Sequence, residues 1–277
     1  LIEECIMRKM LLAATVLSLF TVALNGETIV LDDPAAWGNP PRMKKEDISL
    51  LISGPSQYIT TQKYPLDPAA TYQLSAEIRL GKDSPVAPFI MGFILYDKDD
   101  KVIEAREVNT FSGSDTTLSA PVKAGDMQFR IRNGARWAAA DKGFSVPAFQ
   151  TDPSGKDLPN RTAEADTTGI QEVKRTGTEW LVTLKKPVKA DYPAETGVRL
   201  HINGGFFYSS VTTPSAEWKE AVGKVKGINP KVTSNQWLPG KFWTGATSFR
   251  VMLMPNWNWG IKNSVVEVKN LKLEITR

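Results

Sequence analysis

The chain has 277 residues, 42% hydrophobic and 23% charged, values typical of a soluble globular protein that exclude a disordered or collagen-like chain. Its single cysteine, Cys5, excludes an intramolecular disulfide and any Cys-rich metal site, and its single histidine, His201, excludes a multi-His metal centre. The net charge of +4 is mildly basic, but no block of lysine and arginine resembles a nucleic-acid-binding arm. We therefore expect no cofactor, no metal and no nucleic-acid partner, while an anionic polymer would fit the charge.

The first residues have the pattern of a secretory signal peptide. A short basic stretch follows Met7, an apolar run extends from Met10 to Leu24, and a small polar exit comes next. An apolar run of about 15 residues is short for a membrane span, although an uncleaved anchor is the alternative. We predict that residues 1–26 hold upstream residues and this signal peptide. The mature chain, without cysteine or a membrane span, would then be secreted, periplasmic or on the cell surface of a bacterium.

After Glu27 the sequence alternates between apolar and polar residues in short runs, which predicts half-buried strands. Turn-forming pairs such as Asp-Pro, Asn-Gly and Pro-Gly separate the runs. A weak helical pattern covers Ala216–Val225. The whole predicts an all-β protein, an antiparallel β-sandwich of the jelly-roll type that forms one large domain over 27–277. The predicted strands are Tyr72–Leu80, Met127–Arg132, Trp180–Leu184, Val198–Asn203, Phe249–Leu253 and Val265–Ile275.

A candidate seam lies at Thr151–Thr168, which is polar and rich in proline, glycine and aspartate. Such a stretch can be a linker between two domains or a long crossover inside one sandwich. We favour the crossover.

Two segments resemble jelly-roll carbohydrate-binding modules. Residues 58–60 followed by 66–79, with a proline-initiated Tyr-x-Leu-Ser-Ala strand, are similar to a ligand-side strand and its neighbour, and Val265–Glu274 is similar to the last strand of such modules. Together they cover less than a fifth of the chain. The resemblance implies a jelly-roll fold and a polysaccharide ligand. Those modules often carry paired aspartates near the last strand, whereas this chain has Lys269 and Asn270, so structural calcium stays an open alternative that these residues do not support.

Tryptophans in loops are the first candidates for sugar recognition. A flat ring can stack on the apolar C–H face of a sugar while nearby polar groups bind its hydroxyls. Trp257 and Trp259 would project to one face of an extended chain, and Trp237 and Trp243 flank a Pro-Gly turn. The alternative is that these rings fill the core, because tryptophan is usually highly buried.

A polar sheet face is the second candidate. Polar residues alternate with apolar ones on two predicted strands, so that cations, an imidazole and an amide would share a face next to aromatic rings. The alternative is a solvated outer face without a ligand. The candidate residues are Arg199, His201 and Asn203 with the nearby Tyr208, and Arg130 and Arg132 on another strand.

These features predict a secreted, monomeric, non-catalytic polysaccharide-binding protein whose ligand is either neutral or acidic. One alternative is a polysaccharide lyase in which Arg199, His201 and Tyr208 neutralise a uronate and remove its proton, although no lyase signature accompanies them. A further alternative is a structural cell-surface module. The sequence has no paired-carboxylate arrangement of retaining glucanases, no Gly-x-Ser-x-Gly elbow, no phosphate loop and no dinucleotide fingerprint.

Overall fold

The structure is a computed structural model that describes residues 26–162, 169–233, 240–257 and 261–277. Within these ranges the regular structure is almost all strand, which confirms the all-β prediction. The helices are α1 (Ala105–Val108) and α2 (Ala135–Ala139), with a 3-10 turn at Pro34–Trp37. The strands are β1 (Glu27–Val30), β2 (Met43–Glu46), β3 (Ser49–Ser53), β4 (Tyr58–Ile59), β5 (Tyr64–Pro65), β6 (Thr71–Leu80), β7 (Phe89–Tyr96), β8 (Asn109–Thr110), β9 (Thr116–Thr117), β10 (Gln128–Ile131), β11 (Ser145–Phe149), β12 (Ile170–Thr176), β13 (Glu179–Leu184), β14 (Gly197–Ile202), β15 (Phe207–Thr212), β16 (Lys219–Lys226), β17 (Ile228–Asn229), β18 (Val232–Thr233), β19 (Phe242–Trp243), β20 (Ser248–Met254) and β21 (Val265–Thr276).

Two antiparallel sheets form the first sandwich. Sheet A has the order β16-β6-β21-β3-β2 with β1 beside β21, and sheet B has the order β15-β7-β20-β4 with β5 beside β20. Alternate side chains of both sheets meet in the main hydrophobic cluster, where the ring of Phe249 lies edge-on to Tyr72 at 5.3 Å and to Phe93 at 5.1 Å. Burying each such ring contributes about 1.5–3 kcal/mol. This cluster holds the two sheets together.

Strands β8 to β14 lie between β7 and β15 in the chain and build a second pair of sheets, to which the later strand β18 is added beside β8. Sheet C has the order β11-β14-β8-β18 with β9 beside β14, and sheet D has the order β10-β13-β12. They face each other across a second hydrophobic cluster, in which the Trp137 indole N–H donates to the carbonyl of Ser114 at 2.8 Å. The chain therefore leaves the first sandwich after β7 and returns to it at β15.

The structure confirms all six predicted strands, as β6, β10, β13, β14, β20 and β21. The helical prediction for Ala216–Val225 is wrong, because residues 219–226 form β16 and pair antiparallel with β6. Buried and exposed residues alternate along β16, so Ala221 and Val225 face the core. Pairing with a neighbouring strand has overridden the helix propensity of its lysines, glutamate and alanine. The structure has two large hydrophobic clusters, one in each pair of sheets. The assignment of residues 27–277 to a single domain stays a prediction.

Several predictions fall outside the described residues: the signal peptide, the end of the candidate seam at 163–168, Trp237 and Trp259. Among the residues that are described, none of the helices has the length and apolar character needed to span a membrane. The same part of the chain contains no cluster of three or more potential metal-ligating side chains.

Candidate functional site

Strand β14 carries an apolar face and a polar face, and both are covered. Val198 and Leu200 enter the second hydrophobic cluster. Arg199 and His201 lie on the opposite face with no exposed surface. The expectation that these two side chains form an exposed sheet face is therefore wrong. The reason is that segment 152–160, part of the candidate seam, packs over them together with α1.

Hydrogen bonds fix the geometry beneath this cover. The Arg199 guanidinium bonds Asp157 (Nη2 to Oδ2, 2.6 Å) and donates from Nε to His201 Nε2 at 2.9 Å. Because His201 Nε2 accepts, the ring proton is on Nδ1, which donates to the carbonyl of Arg106 in α1 at 2.6 Å. Burial, together with the nearby charge of Arg199, lowers the pKa of His201 to about 3. The imidazole is therefore neutral at physiological pH.

The carboxylates around Arg199 are paired as well. Burial would raise the pKa of Asp157, but hydrogen bonds from the Asp152 N–H and from Asn160, with the charge of Arg199, hold that pKa below its usual range. Asp115 lies 3.5 Å from Arg199 and 3.1 Å from Lys231 Nζ. We call Arg199, His201, Asp157, Asp115 and Lys231 the sealed network. Its partners are internal, so its role in this structure is to hold segment 152–160 and α1 on β14.

The three residues of the lyase alternative are not brought together. Tyr208 lies on the outer face of sheet B in a small cluster with Ile90, Ile94, Met252 and Met254. Burial raises the pKa of Tyr208, which opposes its use as a base near neutral pH. Since Arg199 and His201 are sealed, neither can contact a polymer in this conformation.

The other predicted residues are spread over the molecule. Trp257 is partly exposed and packs against the small cluster that contains Tyr208. Trp243 is buried in the main hydrophobic cluster, as the core alternative predicted. Arg130 and Arg132 are exposed on sheet D, where they pair with Glu179 and Glu195.

A cavity of about 390 Å³ opens where the chain passes between the two sandwiches. Strand β15 pairs with β7 only from Phe207 onward, opposite Phe93. Before that point the chain turns away through Gly204 and Gly205, whose φ angles of 109° and 82° favour glycine. This leaves the edge of β7 near Ile94 open. The resulting junction pocket is lined by Ile94, Glu104, Arg106, Asn203, Phe206 and Trp243, among others.

The junction pocket combines an aromatic rim with a charged pair. Phe206 is 39% exposed, and its ring centroid lies 6.4 Å from that of Tyr208. Glu104 Oε2 and Arg106 Nη2 are 2.7 Å apart, and both side chains keep exposed surface. Among the described residues, no acceptor reaches the buried Nε of Arg106. The pocket therefore offers a ring, an amide, a donor and an acceptor, and Ile94 connects it to the small cluster around Tyr208 and Trp257.

A second cavity, of about 450 Å³, lies on sheet A and is lined by Ser75, Glu77, Glu220 and Asn270, among others. It has no aromatic ring. Glu77 is already engaged, by Lys269 at 3.1 Å and by Asn270 at 2.6 Å. The junction pocket is the better candidate because only it joins rings to polar groups.

Sequence reasoning found Asn203 and Trp243 but missed Glu104, Arg106 and Phe206. The Phe-Phe-Tyr run after two glycines was a usable signal for Phe206, since adjacent apolar residues on a strand cannot all face one core. Sequence reasoning also missed Trp218, which lies on the outer face of sheet A. Its ring centroid is 4.3 Å from Lys269 Nζ and 4.7 Å from Arg79 Cζ.

Comparisons of this chain with models of protein families, with curated proteins and with solved structures gave no match. The function is therefore argued from the site itself.

Proposed function

We propose that this protein is an exported, non-catalytic polysaccharide-binding protein that holds part of a glycan chain in the junction pocket. The observation that carries the proposal is the composition of this pocket, where the exposed ring of Phe206 lies beside Asn203 and the Glu104–Arg106 pair. Export is supported by the signal-peptide pattern between Met7 and Leu24.

The chemistry of a sugar matches this lining. A pyranose has an apolar C–H face that packs on a ring, and hydroxyls at its edge that need both donors and acceptors. The pocket supplies the ring at Phe206, an amide at Asn203, donors at Arg106 and an acceptor at Glu104. Its volume of about 390 Å³ lies within the range of small-molecule sites.

A small buried cluster with partly exposed rings at its edge adjoins the pocket. Ile94 belongs both to the pocket lining and to the small cluster that contains Tyr208. Trp257 packs against that cluster, and its backbone N–H donates to the Pro88 carbonyl at 3.1 Å. Position 88 lies just before β7 and position 94 lies within it. The six residues between them correspond to about 20 Å of extended chain. The five buried residues of the cluster are at most 9% exposed, so the partly exposed rings of Tyr96 and Trp257 at its edge are the side chains that offer aromatic surface for further sugar units.

We propose no catalytic step, because the residues predicted for one do not converge. The sealed network uses Arg199 and His201 to hold the protein together, and Tyr208 belongs to a different cluster. Binding needs only the exposed side chains of the pocket and its rim.

Affinity electrophoresis through gels that contain soluble polysaccharides tests the proposal. We expect retardation in at least one gel, and we expect Phe206→Ala to weaken that binding about tenfold by removing the ring on which the sugar packs. Ile48→Ala is the control, because Ile48 is also an exposed large apolar side chain, at 64%, and lies in the turn between β2 and β3 on sheet A, outside the pocket.

Two results would contradict the proposal. One is an unchanged migration of the wild-type protein in every gel. The other is retardation that Phe206→Ala and Ile48→Ala reduce equally, since this would place the glycan outside the junction pocket.

A further inference from the structure

The charged pair in the junction pocket constrains which sugars can bind there. Glu104 and Arg106 lie two residues apart at the start of α1, and their side chains meet at 2.7 Å on the pocket wall. The Glu104 side chain is 46% exposed and that of Arg106 is 26% exposed, so a ligand can reach both. A ligand group that enters this corner meets a carboxylate and a guanidinium at once.

A hydroxyl group is suited to such a pair. Its O–H donates a hydrogen bond to the carboxylate and its oxygen accepts one from the guanidinium, so both partners are satisfied by one group. A ligand carboxylate only accepts, and it would lie beside the like charge of Glu104. The pair therefore favours an uncharged polyol over an acid.

The charged side chains packed against α1 also favour an uncharged ligand. Arg161 contacts Glu107 and also bonds Asp97 (Nη2 to Oδ2, 2.6 Å), so one cation is shared by two carboxylates. Glu107 in turn accepts from the backbone N–H of Glu104 at 3.0 Å, which places this excess negative charge next to the pocket wall. The surroundings therefore do not supply the positive potential that an acidic ligand needs.

We propose that the junction pocket selects uncharged sugar units and rejects uronic acids, with Glu104 as the residue that determines this specificity. The inference rests on the proposed function and narrows its ligand class from polysaccharides in general to neutral ones. Glu104 accepts a hydrogen bond from a hydroxyl of a neutral sugar and repels a carboxylate, while Arg106 orients Glu104 and donates a hydrogen bond to the ligand oxygen.

Paired polysaccharides test the specificity. Hydroxyethyl cellulose, galactomannan and amylose are each used beside a derivative whose C6 hydroxyls have been oxidised to carboxylates, so that backbone and linkage are the same within a pair. We expect retardation by at least one neutral polymer and about tenfold weaker binding of its carboxylated derivative. In Glu104→Gln this difference should shrink severalfold, because the amide keeps the shape and removes the charge.

Glu195→Gln is the matched control. Glu195 is an exposed glutamate paired with an arginine, Arg132, and lies outside the pocket. We expect this variant to keep the wild-type preference for the neutral polymer.

The outcomes separate the two proposals. If no polymer of any pair retards the wild-type protein, the proposed function fails and the specificity fails with it. If polymers bind but the carboxylated derivative binds as well as its neutral parent, only the specificity is overturned. The same holds if Glu104→Gln leaves the wild-type preference unchanged.

Discussion

Arg199 and Arg106 each pair with a carboxylate, at 2.6 and 2.7 Å, yet the first pair is sealed beneath segment 152–160 and the second opens into the junction pocket. The two are connected, because His201 accepts from Arg199 and donates to the carbonyl of Arg106. The sealed network holds α1 in place through His201. The junction pocket is lined by the exposed side chains at the start of α1. The same residue types therefore serve structure or recognition according to what covers them.

The energetic consequences of the two pairs differ for the same reason. At the centre of the sealed network, Arg199 has no exposed side-chain surface and Asp157 keeps 11%, so that removal of Arg199 leaves a carboxylate that is largely buried and has lost its cation. Charges in the junction pocket keep solvent contact, so that their attraction is weak and a ligand can compete for them. We expect mutations in the first region to affect folding and mutations in the second to affect binding.

The largest expected effect is that of Arg199→Met. This variant leaves Asp157 buried with only the Asp152 N–H and Asn160 as partners, and we expect it to lower the free energy of unfolding by about 3–5 kcal/mol. Urea unfolding followed by circular dichroism measures the loss.

Arg132→Ala provides the comparison on the surface. Its pair with Glu195 is exposed on both sides, so we expect a loss far smaller than that of Arg199→Met. Equal losses in the two variants would contradict the view that the buried network differs in kind from an exposed pair.

Strands could be predicted from the sequence wherever apolar and polar residues clearly alternate. Strand β6 has one face in the core and one towards solvent, and its period of two is visible in the sequence. Strand β7 was missed, because it is buried on both faces, with Phe93 in the main cluster and Ile94 in the small outer cluster, and therefore reads as a continuous apolar run.

The candidate site was accessible only in part, because alternation does not reveal what covers a polar face. Arg199 and His201 read as an open face, and segment 152–160 read as a crossover or linker. Within that segment, Asp157 accepts from Arg199 on the polar face, and Asn160 donates to Asp157. Pairing between residues 42 positions apart cannot be inferred from the local pattern of either segment.

The pH dependence of stability tests the sealed network through its single histidine. Unfolded, His201 takes up a proton near its usual pKa of 6.5, whereas in the folded protein its pKa is about 3. Between these values the unfolded state binds more protons, so stability falls as the pH falls, by up to about 1.4 kcal/mol per pH unit. Urea unfolding at a series of pH values from 7 to 4.5 measures the slope.

His201→Asn separates this effect from that of the carboxylates. An asparagine amide can still donate to the Arg106 carbonyl, but it does not titrate, so we expect the variant to have a much flatter pH dependence in this interval. A slope identical to that of the wild-type protein would show that His201 is protonated in the folded state at these pH values.

A direct test of the open region is Gly205→Ala, whose effect on stability should be well below that of Arg199→Met. Gly205 has a φ of 82°, and an added Cβ would lie 3.9 Å from the nearest atom of Tyr208, so the cost comes from the left-handed backbone and not from a clash. We expect a loss of about 1–2 kcal/mol. Because the Gly204–Gly205 turn sets the width of the junction pocket, glycan binding should weaken while the NMR signal of the His201 ring stays unchanged.

Gly143→Ala is the control, since Gly143 lies in an exposed turn with a φ outside the left-handed region. An alanine there restricts the unfolded chain without left-handed strain, and its Cβ would lie 3.2 Å from Oδ1 of the exposed Asp141 side chain, which can shift, so stability should change little. If Gly205→Ala instead shifts the His201 signal, the pocket and the sealed network form one unit, and the separation between a region for structure and a region for recognition is lost.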